Sequence, residues 1–251
     1  MKSTISLPVS LVIPCYERPH DTTDLLLALK EADFSCEVIV VDDASPNSLA
    51  PVVSQFPEMD IRYIRLEKNQ GPAAARNAGV ECSKFDLVAF TDNDCLPSMD
   101  WLVHLFQAIH DAPARIAGVG GRVAAAGKDV ISEYYDYHKI LDPWFYRGQH
   151  YYITTANAVF RRHLLRLVGG FDETVKAAGG EDPGLCFKLL NAGYSLGYAP
   201  QAVVTHRYQP TLRSFMRTFF RYGHGCAGQA ARHYKAPTFY ANDGFAGGPS
   251  E

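Results

Sequence analysis

The strongest constraint on the fold is a regular alternation of strand and helix patterns in the first hundred residues. Apolar runs rich in β-branched residues, such as VSLVIPCY (9–16) and VIVVDDAS (38–45), alternate with segments of helical spacing, such as DTTDLLLALKEA (21–32). Near-continuous apolar runs are typical of strands that are buried on both faces, and their alternation with helices indicates a parallel sheet. We therefore expect an α/β fold with a mostly parallel central sheet flanked by helices.

Polar side chains follow three of these apolar runs at the point where each run ends. Tyr16 follows the first run, Asp42 and Asp43 close the second, and Asp92 and Asp94 follow the run FDLVAF. Open parallel sheets bind ligands beyond the carboxyl ends of their strands. The sequence therefore predicts that these side chains converge at one edge of the sheet.

The sequence TDND (91–94) is open to three interpretations. Two aspartates can hold Mg²⁺ or Mn²⁺, which prefer oxygen ligands. A strand that ends in D-x-D is also typical of haloacid-dehalogenase-type phosphatases, although three strand–helix units precede the motif here and the phosphatase motif opens its domain. Asp and Asn are also preferred helix N-caps. The motif alone does not separate these alternatives.

The charge of the chain changes along its length. The net charge is −3, which gives no reason to expect a nucleic-acid binder. No acidic residue lies between Asp182 and Asp243, however, and seven lysines and arginines fall in that interval. A locally basic segment of this kind suits an anionic ligand or a membrane surface.

Within the basic segment, apolar and basic side chains recur at helical spacing. The apolar stripe contains Leu212, Phe215, Met216, Phe219 and Phe220, and the neighbouring basic stripe contains Arg213, Arg217 and Arg221. This pattern predicts an amphipathic helix. Three roles stay open for it: a helix docked with a solvated arginine face, a cover over an anionic ligand, or a contact with a membrane surface.

A dense aromatic block lies in the middle of the chain. It contains Tyr134, Tyr135, Tyr137, Trp144, Phe145 and Tyr146. These rings either form core or stack on a ligand, and the sequence favours neither role.

Six segments, taken in order and spacing, resemble the family 2 glycosyltransferases over roughly residues 8–208. They read SLVIPCYERP, VIVVDDAS, NQGPAAARNAGV, LVAFTDND, NAVFRR with VGGFDE, and GGEDPGLCFKL. The resemblance implies a GT-A (Rossmann-like) catalytic domain over 1–208. Residues 1–112 would form its nucleotide-binding half and residues 113–208 its donor-sugar and acceptor half. A basic, amphipathic, acceptor-side helix with a flexible tail would follow over 209–251.

For the nucleotide-sugar donor, the resemblance implies a set of residues spread along the chain. They are Pro14, Tyr16, Glu17, Asp42, Asp43, Arg76, Asp92, Asn93 and Asn157. Tyr16 would stack on the base, one aspartate of the adjacent pair (Asp43 is favoured) would accept a hydrogen bond from it, and Arg76 would reach the base or the phosphates. Asn157 would hydrogen-bond a sugar hydroxyl. Helix capping and a surface arginine are the structural alternatives.

For metal binding and catalysis, the resemblance implies carboxylates from two motifs. Asp92, Asp94 and His206 would hold Mn²⁺ or Mg²⁺. Asp182 would take the proton of the acceptor, and Glu181 would orient the acceptor or support the loop. The alternative for the last pair is a helix N-terminus, where acidic side chains are favoured.

We therefore expect a metal-dependent, inverting hexosyltransferase. Its donor would be a nucleotide-diphosphate sugar, UDP-linked by the habit of the family, and its acceptor a hydroxyl in polysaccharide, glycolipid or glycoconjugate biosynthesis. A phosphatase or nucleotidyltransferase that uses the D-x-D aspartates is one alternative, and a non-catalytic nucleotide-sugar or glycan-binding module is another. Nucleic acid is not an expected partner.

The expected location follows from the cysteines and the N-terminus. The six cysteines are scattered without a C-x-x-C pair, which indicates reduced thiols, and the N-terminal residues do not read as a signal peptide. We expect a cytoplasmic protein, either free or peripheral at the inner face of the membrane through its basic helix.

Overall fold

The first half of the chain contributes five strands and four helices to a computed structural model that describes residues 4–176 and 178–233. The strands are β1 (Ile5–Cys15), β2 (Phe34–Asp42), β3 (Ile61–Arg65), β4 (Leu87–Phe90) and β5 (Cys95–Pro97). The helices are α1 (Pro19–Glu31), α2 (Ala50–Val53), α3 (Pro72–Cys82) and α4 (Trp101–His110).

The second half adds five strands, four α-helices and one short 3₁₀ turn (Thr155–Asn157) among the described residues. The strands are β6 (Ile116–Ala125), β7 (Trp144–Tyr146), β8 (Gln149–Tyr152), β9 (Ala158–Arg161) and β10 (Ser195–His206). The helices are α5 (Val130–Tyr137), α6 (Arg162–Leu167), α7 (Glu181–Asn191) and α8 (Leu212–His233).

Eight of the strands form one sheet in the order β3-β2-β1-β4-β9-β6-β10-β5, and β7 pairs with β8 in a separate hairpin. Strands β3, β2, β1 and β4 are parallel, as are β6 and β10, whereas β9 and β5 are antiparallel to their neighbours. The predicted mostly parallel sheet is confirmed. Because β6, β9 and β10 continue the sheet of the first half, residues 1–112 and 113–208 share one sheet.

The central strands are buried on both faces, which explains their continuous apolar sequence. In β1, Leu11 and Ile13 join one hydrophobic cluster, while Val12 between them joins the other. All three are fully buried. Successive side chains of a strand point to opposite faces, so an uninterrupted apolar run is required when helices cover both sides.

Helix α3 packs closely against β1 because its sequence, PAAARNAGVEC, consists mostly of small residues. A Cβ atom at Gly79 would lie 2.3 Å from Val12 Cγ1, so glycine is required for this approach. The helix starts at Pro72, directly after Gly71, whose φ of 90° favours glycine. This close packing brings Arg76 to the carboxyl edge of the sheet.

Helix α8 is the predicted C-terminal helix, and it crosses the loop that precedes α7. A Cβ atom at Gly225 would lie 2.7 Å from the carbonyl oxygen of Gly179, so the two backbones are in direct contact. Further along, Gln229 Nε2 donates to Asp172 Oδ2 at 2.9 Å. The predicted flexible tail lies beyond His233 and outside the described residues. Among residues 4–176 and 178–233, no helix combines the length and apolar character needed to cross a bilayer.

Candidate active site

Two adjoining cavities lie at the carboxyl edge of the sheet. The first cavity has a volume of about 640 Å³, and the polar and aromatic residues that line it include Tyr16, Arg18, Asp43, Asp92, Asn93, Asp94, Arg217 and Arg221. The second cavity has a volume of about 500 Å³ and contains Glu181 and Asp182 in its lining. Five residues line both cavities: Arg76, Asp92, Ala178, His206 and Tyr222. The predicted convergence at one edge is therefore observed for most of the predicted site residues.

Asp94 and His206 lie together because strands β5 and β10 pair antiparallel. That pairing places His206 opposite Cys95, the residue after Asp94. His206 Nε2 lies 3.5 Å from Asp94 Oδ1, and Arg18 Nη1 lies 2.6 Å from Asp94 Oδ2. One oxygen of the Asp94 carboxylate is therefore next to an imidazole, and the other is paired with a guanidinium.

The Asp94–His206 pair fits a divalent cation. Adjacent ligands of an octahedral ion with bonds of about 2.1 Å lie about 3 Å apart, close to the 3.5 Å between Asp94 Oδ1 and His206 Nε2. Cys95 Sγ also lies near these atoms. Burial raises the pKa of the Cys95 thiol well above its usual value, however, so a protonated thiol is expected there. The carboxylate and the imidazole are the ligands that suit Mn²⁺ or Mg²⁺.

The carboxylate of Asp92, the third predicted metal ligand, is paired with an arginine. Arg76 Nη2 lies 2.7 Å from Asp92 Oδ1, and Arg76 Nη1 lies 3.0 Å from Glu181 Oε1 and 4.0 Å from Asp182 Oδ1. Burial alone would lower the pKa of Arg76, but these three carboxylates together raise it, so the guanidinium stays charged. Instead of reaching outward to a base or phosphate, Arg76 joins the D-x-D edge to the start of α7.

Glu181 is held rigidly at the N-terminus of α7. Its Oε2 accepts hydrogen bonds from the backbone N–H groups of Gly179 at 2.7 Å and Gly180 at 2.9 Å, and its Oε1 pairs with Arg76. The side chain is only 3% exposed. With both oxygens committed, Glu181 supports the loop, which is one of the two predicted roles.

Asp182 is oriented by Thr154 and Thr155, which lie at the start of the 3₁₀ turn. Thr155 donates from its hydroxyl to Oδ1 at 2.6 Å and from its backbone N–H to Oδ2 at 3.1 Å, and the Thr154 hydroxyl donates to Oδ2 at 3.3 Å. Burial raises the pKa of Asp182 to about 7, an effect that Arg76 only partly opposes. A carboxyl group in this state can accept a proton near neutral pH.

Of the aspartate pair after β2, only Asp43 lines the first cavity. Its two oxygens accept hydrogen bonds from the backbone N–H groups of Gln70 and Gly71, each at 2.7 Å. Asp42 is fully buried and accepts hydrogen bonds from Tyr63 Oη at 2.6 Å and Arg65 Nη1 at 2.5 Å. The Asp42 side chain therefore orders the end of β2. Only Asp43, the residue favoured for the hydrogen bond to the base, lines the first cavity.

Two predicted donor-site residues, Asn93 and Glu17, have structural partners. Asn93 lines the first cavity, but its amide donates to Thr22 Oγ1 at 3.1 Å. Glu17 lies next to the cavity with φ of 59°, and its backbone N–H donates to Ser45 Oγ at 2.8 Å. Pro14 and Tyr16 also line the first cavity, and Tyr16 is 45% exposed. Of the β1-end residues, Tyr16 is the one with a free aromatic face.

Asn157 lies away from both cavities. It is fully buried, and its amide donates to the carbonyl oxygens of Arg122 and Ala202, each at 2.8 Å. Ala202 lies where the register of β10 against β6 shifts between Ala199 and Val203. The amide therefore satisfies a backbone carbonyl at this irregularity, and in this conformation Asn157 does not reach a sugar hydroxyl.

Helix α8 divides the predicted apolar stripe between two faces. Phe215 and Phe219 pack on Tyr134, with ring centroids 5.2 Å and 6.0 Å away. Leu212, Met216 and Phe220 are instead 70%, 62% and 77% exposed. Arg217 and Arg221 line the first cavity, which corresponds to the predicted cover over an anionic ligand, and Arg213 is exposed.

The site contains residues that sequence reasoning missed. Arg18, Thr154, Thr155 and Tyr222 contact or line the cavities, and none was predicted. The only signal for the threonines was their place in TTANAVFRR (154–162), a stretch that the resemblance assigns to the donor-sugar pocket. Nothing in the pattern linked them to a carboxylate 27 residues later.

The chain is similar in sequence to a known glycosyltransferase. Pre-mycofactocin glycosyltransferase from Mycobacterium tuberculosis is 34% identical over 236 residues, which cover 90% of this chain and 48% of the relative. The chain thus spans about half the length of that relative.

Solved structures share the fold. The mannosyltransferase PcManGT from Pyrobaculum calidifontis, in complex with GDP-Man and Mn²⁺, matches with a TM-score of 0.69 and 21% identity over 94% of this chain and 67% of its own. TarS from S. aureus, in complex with UDP-GlcNAc, matches with a TM-score of 0.63 and 15% identity over 95% of this chain and 77% of its own. The GT-A fold is confirmed.

The family model for glycosyl transferase family 2 matches residues 10–168, a segment that runs from β1 through α6 and includes the D-x-D edge. The chain belongs to glycosyl transferase family 2.

Proposed function

We propose that this chain is a metal-dependent, inverting glycosyltransferase that moves a sugar from a nucleotide-diphosphate sugar to a hydroxyl acceptor. The observation that carries the proposal is the buried carboxyl of Asp182 in the second cavity, linked through Arg76 to the Asp92–Asp94 edge of the first. A donor in the first cavity and an acceptor in the second would meet where the two adjoin.

In the proposed reaction, the acceptor hydroxyl loses its proton to Asp182 while its oxygen bonds to the anomeric carbon of the donor. The bond between that carbon and the diphosphate oxygen breaks, and its electrons leave with the nucleoside diphosphate. Attack from the side opposite the leaving group inverts the anomeric centre. The raised pKa of Asp182 supports its role as the proton acceptor, because general bases work best with a pKa near the operating pH.

On the donor side, the first cavity is lined by an exposed aromatic ring and by several cations. Tyr16 and Asp43 are the residues proposed for the base. Arg217 and Arg221 of α8 line the same cavity and suit a diphosphate. The neighbours with GDP-Man and UDP-GlcNAc carry different bases, so UDP stays a prediction here.

Asp94 and His206 are the residues proposed to hold Mn²⁺ or Mg²⁺, with Asp92 at the same edge. When bound, the cation would neutralise charge on the departing diphosphate. The Mn²⁺ in the mannosyltransferase neighbour is consistent with this assignment.

Phosphoryl transfer and simple binding explain less of the site. A phosphatase or nucleotidyltransferase would use the D-x-D aspartates but would leave the buried, threonine-oriented Asp182 without a role. A binding module would have no need for a carboxyl group of raised pKa in a second cavity.

A thermal-shift panel of UDP- and GDP-sugars, with and without Mn²⁺, tests the proposal. A bound donor raises the melting temperature by mass action, and the increase should need the metal. Release of phosphate or pyrophosphate without sugar transfer would favour the phosphoryl-transfer alternative. If no nucleotide sugar raised the melting temperature, the proposal would be wrong.

We further propose that α8 contacts an anionic membrane surface, the peripheral location expected above. Leu212, Met216 and Phe220 form an exposed ridge one turn apart, next to the exposed Arg213, and no acidic residue lies between 183 and 242. Apolar side chains beside cations suit an interfacial helix. Co-sedimentation with vesicles containing phosphatidylglycerol should decrease in the Met216→Glu/Phe220→Glu variant. Equal co-sedimentation of wild type and variant would contradict the contact.

A further inference from the structure

The two cavities differ in the chemistry of their walls. The carboxylates and the guanidinium that line the second cavity, among the described residues, form one cluster at its inner, buried end: Arg76, Asp92, Glu181 and Asp182. The His206 imidazole also lines this cavity. The rest of the wall is mostly apolar or aromatic and includes Leu141, Trp144, Tyr152, Phe187, Tyr222 and Ala227.

From this contrast we propose that the acceptor carries its reactive hydroxyl on an apolar scaffold, aromatic or aliphatic, and not on a sugar. The inference rests on the proposed glycosyl transfer and names the substrate class of the same site. The hydroxyl would lie at the inner end, next to Asp182, and the scaffold would fill the space towards Trp144 and α8.

Two of the polar side chains that line the second cavity, those of Glu181 and Thr154, are already engaged. Glu181 uses both oxygens for Arg76 and for two backbone N–H groups, and the Thr154 hydroxyl donates to Asp182. A sugar acceptor would bring several hydroxyls into this cavity, and hydroxyls buried without partners are costly. An apolar alcohol brings one hydroxyl, and Asp182 accepts its proton.

Aromatic rings and small side chains line the second cavity away from its charged cluster. Trp144 lies in the β7–β8 hairpin, 5.6 Å between ring centroids from Tyr151. Ala227 and Ala230 of α8 also line the cavity. Small side chains on α8 leave room for a planar or extended apolar group, and Trp144 offers it a hydrophobic surface.

The two tryptophans provide a direct test. Trp101 is fully buried in the core, whereas Trp144 is 56% exposed at the cavity, so a ligand in the cavity changes only the emission of Trp144. We would titrate the protein with 2-phenylethanol, 1-octanol and methyl β-glucoside, with the Trp144→Phe variant as the spectroscopic control. One of the two apolar alcohols should change the emission saturably at a concentration at least tenfold below the glucoside, and the change should vanish in the variant.

A matched pair of variants locates the binding. Ala227 lines the second cavity, and Ala231, one turn further along α8, is exposed and does not line it. Ala227→Asp should weaken binding of the alcohol at least tenfold, and Ala231→Asp less than twofold. Both variants should keep the increase in melting temperature that the nucleotide sugar produces, because neither residue lines the first cavity.

The outcomes separate this inference from the function on which it rests. Binding of 2-phenylethanol supports an aromatic scaffold, and binding of 1-octanol alone supports an aliphatic one. If the donor stabilises the protein but the glucoside binds as well as the alcohols, or neither alcohol binds, the apolar acceptor is wrong and the glycosyl transfer stands. If no nucleotide sugar stabilises the protein, the proposed function itself fails.

Discussion

Arg18 and Asp94 form an ion pair at the edge of the proposed metal site, with 2.6 Å between Arg18 Nη1 and Asp94 Oδ2. The guanidinium is paired with Oδ2 of the same carboxylate whose Oδ1 lies next to His206 and is proposed to bind a divalent cation. It also belongs to a backbone segment in which Glu17 and Arg18 have φ values of 59° and 55°, a left-handed conformation that non-glycine residues rarely adopt. We infer that Arg18 competes with the metal for Asp94.

Arg18→Gln should therefore bind Mn²⁺ more tightly than the wild type, with a dissociation constant lowered about threefold to tenfold, because a partly exposed ion pair contributes about 1 kcal/mol. Isothermal titration with Mn²⁺ in the absence of donor would measure this change. Arg217→Gln removes the same charge from the first cavity. An equal gain in affinity in both variants would mean that the effect is one of net charge and not of the Arg18–Asp94 pair.

Asp182→Asn should abolish sugar transfer while leaving the donor-induced increase in melting temperature almost intact. Loss of a general base typically lowers the rate by a factor of about 10²–10⁴. Asp182 does not line the first cavity, so donor binding should not depend on its charge. Asp111→Asn, at an exposed position after α4, is the control. Transfer at the wild-type rate in Asp182→Asn would refute the assignment.

The pH dependence of transfer should follow the ionisation of Asp182. Burial raises the pKa of this carboxyl to about 7, and only its deprotonated form can accept a proton. The turnover number should therefore rise tenfold per pH unit below about 7 and level off above it. A profile that is flat between pH 5 and pH 8 would exclude Asp182 as the base.

The same raised pKa has a consequence for stability. A carboxyl with a higher pKa in the folded state binds its proton more tightly there, so its contribution to folding is complete below the unfolded pKa and is lost as the pH rises through about 7. Asn cannot ionise, so Asp182→Asn should melt above the wild type at pH 8, with a smaller difference at pH 5. A pH-independent difference would contradict the shifted pKa.

Arg76→Ala should destabilise the fold by about 3–5 kcal/mol, because it leaves the buried Glu181 carboxylate without its charged partner. It should also move the acid limb of the pH–rate profile to higher pH, since Arg76 opposes the rise in the pKa of Asp182. Urea unfolding measures the first effect and the profile measures the second. A destabilised variant with an unshifted profile would limit Arg76 to a structural role.

Gly79→Ala should cost about 1–3 kcal/mol, because the added methyl group would lie 2.3 Å from Val12 Cγ1 in a packed core. Gly223→Ala is the matched control in α8, where no atom lies within 4 Å of the added Cβ. It should stabilise the helix by about 0.5–1 kcal/mol. Urea unfolding of both variants would show whether the small residues of α3 are required for its approach to β1.

The sheet and its polar edge were predictable because their signals are local. Uninterrupted apolar runs identify buried strands, and parallel strands bring Tyr16, Asp43 and Asp94 to one edge whatever the loops between them do. The order of the motifs then identified the family, which the match over residues 10–168 confirms.

What the sequence did not predict depends on contacts between distant segments. The Asn157 amide donates to the carbonyl oxygen of Ala202, at an irregularity of β10 that no residue pattern predicts. The apolar stripe of α8 predicted one buried face. Within this stripe, Phe215 and Phe219 pack on Tyr134 and Tyr135 of α5, whereas Met216 stays exposed. Helical spacing gives the faces of a helix but not which neighbour covers each one.

The glycine contact between α8 and the loop before α7 has a kinetic consequence. With Gly225 against Gly179, the helix that lines both cavities rests directly on the backbone that leads to Asp182. Any motion that lifts α8 to free the nucleoside diphosphate also uncovers the acceptor side. We therefore expect both products to depart with the same rate constant, a synchrony that stopped-flow fluorescence of Trp144 and of a labelled nucleotide would reveal.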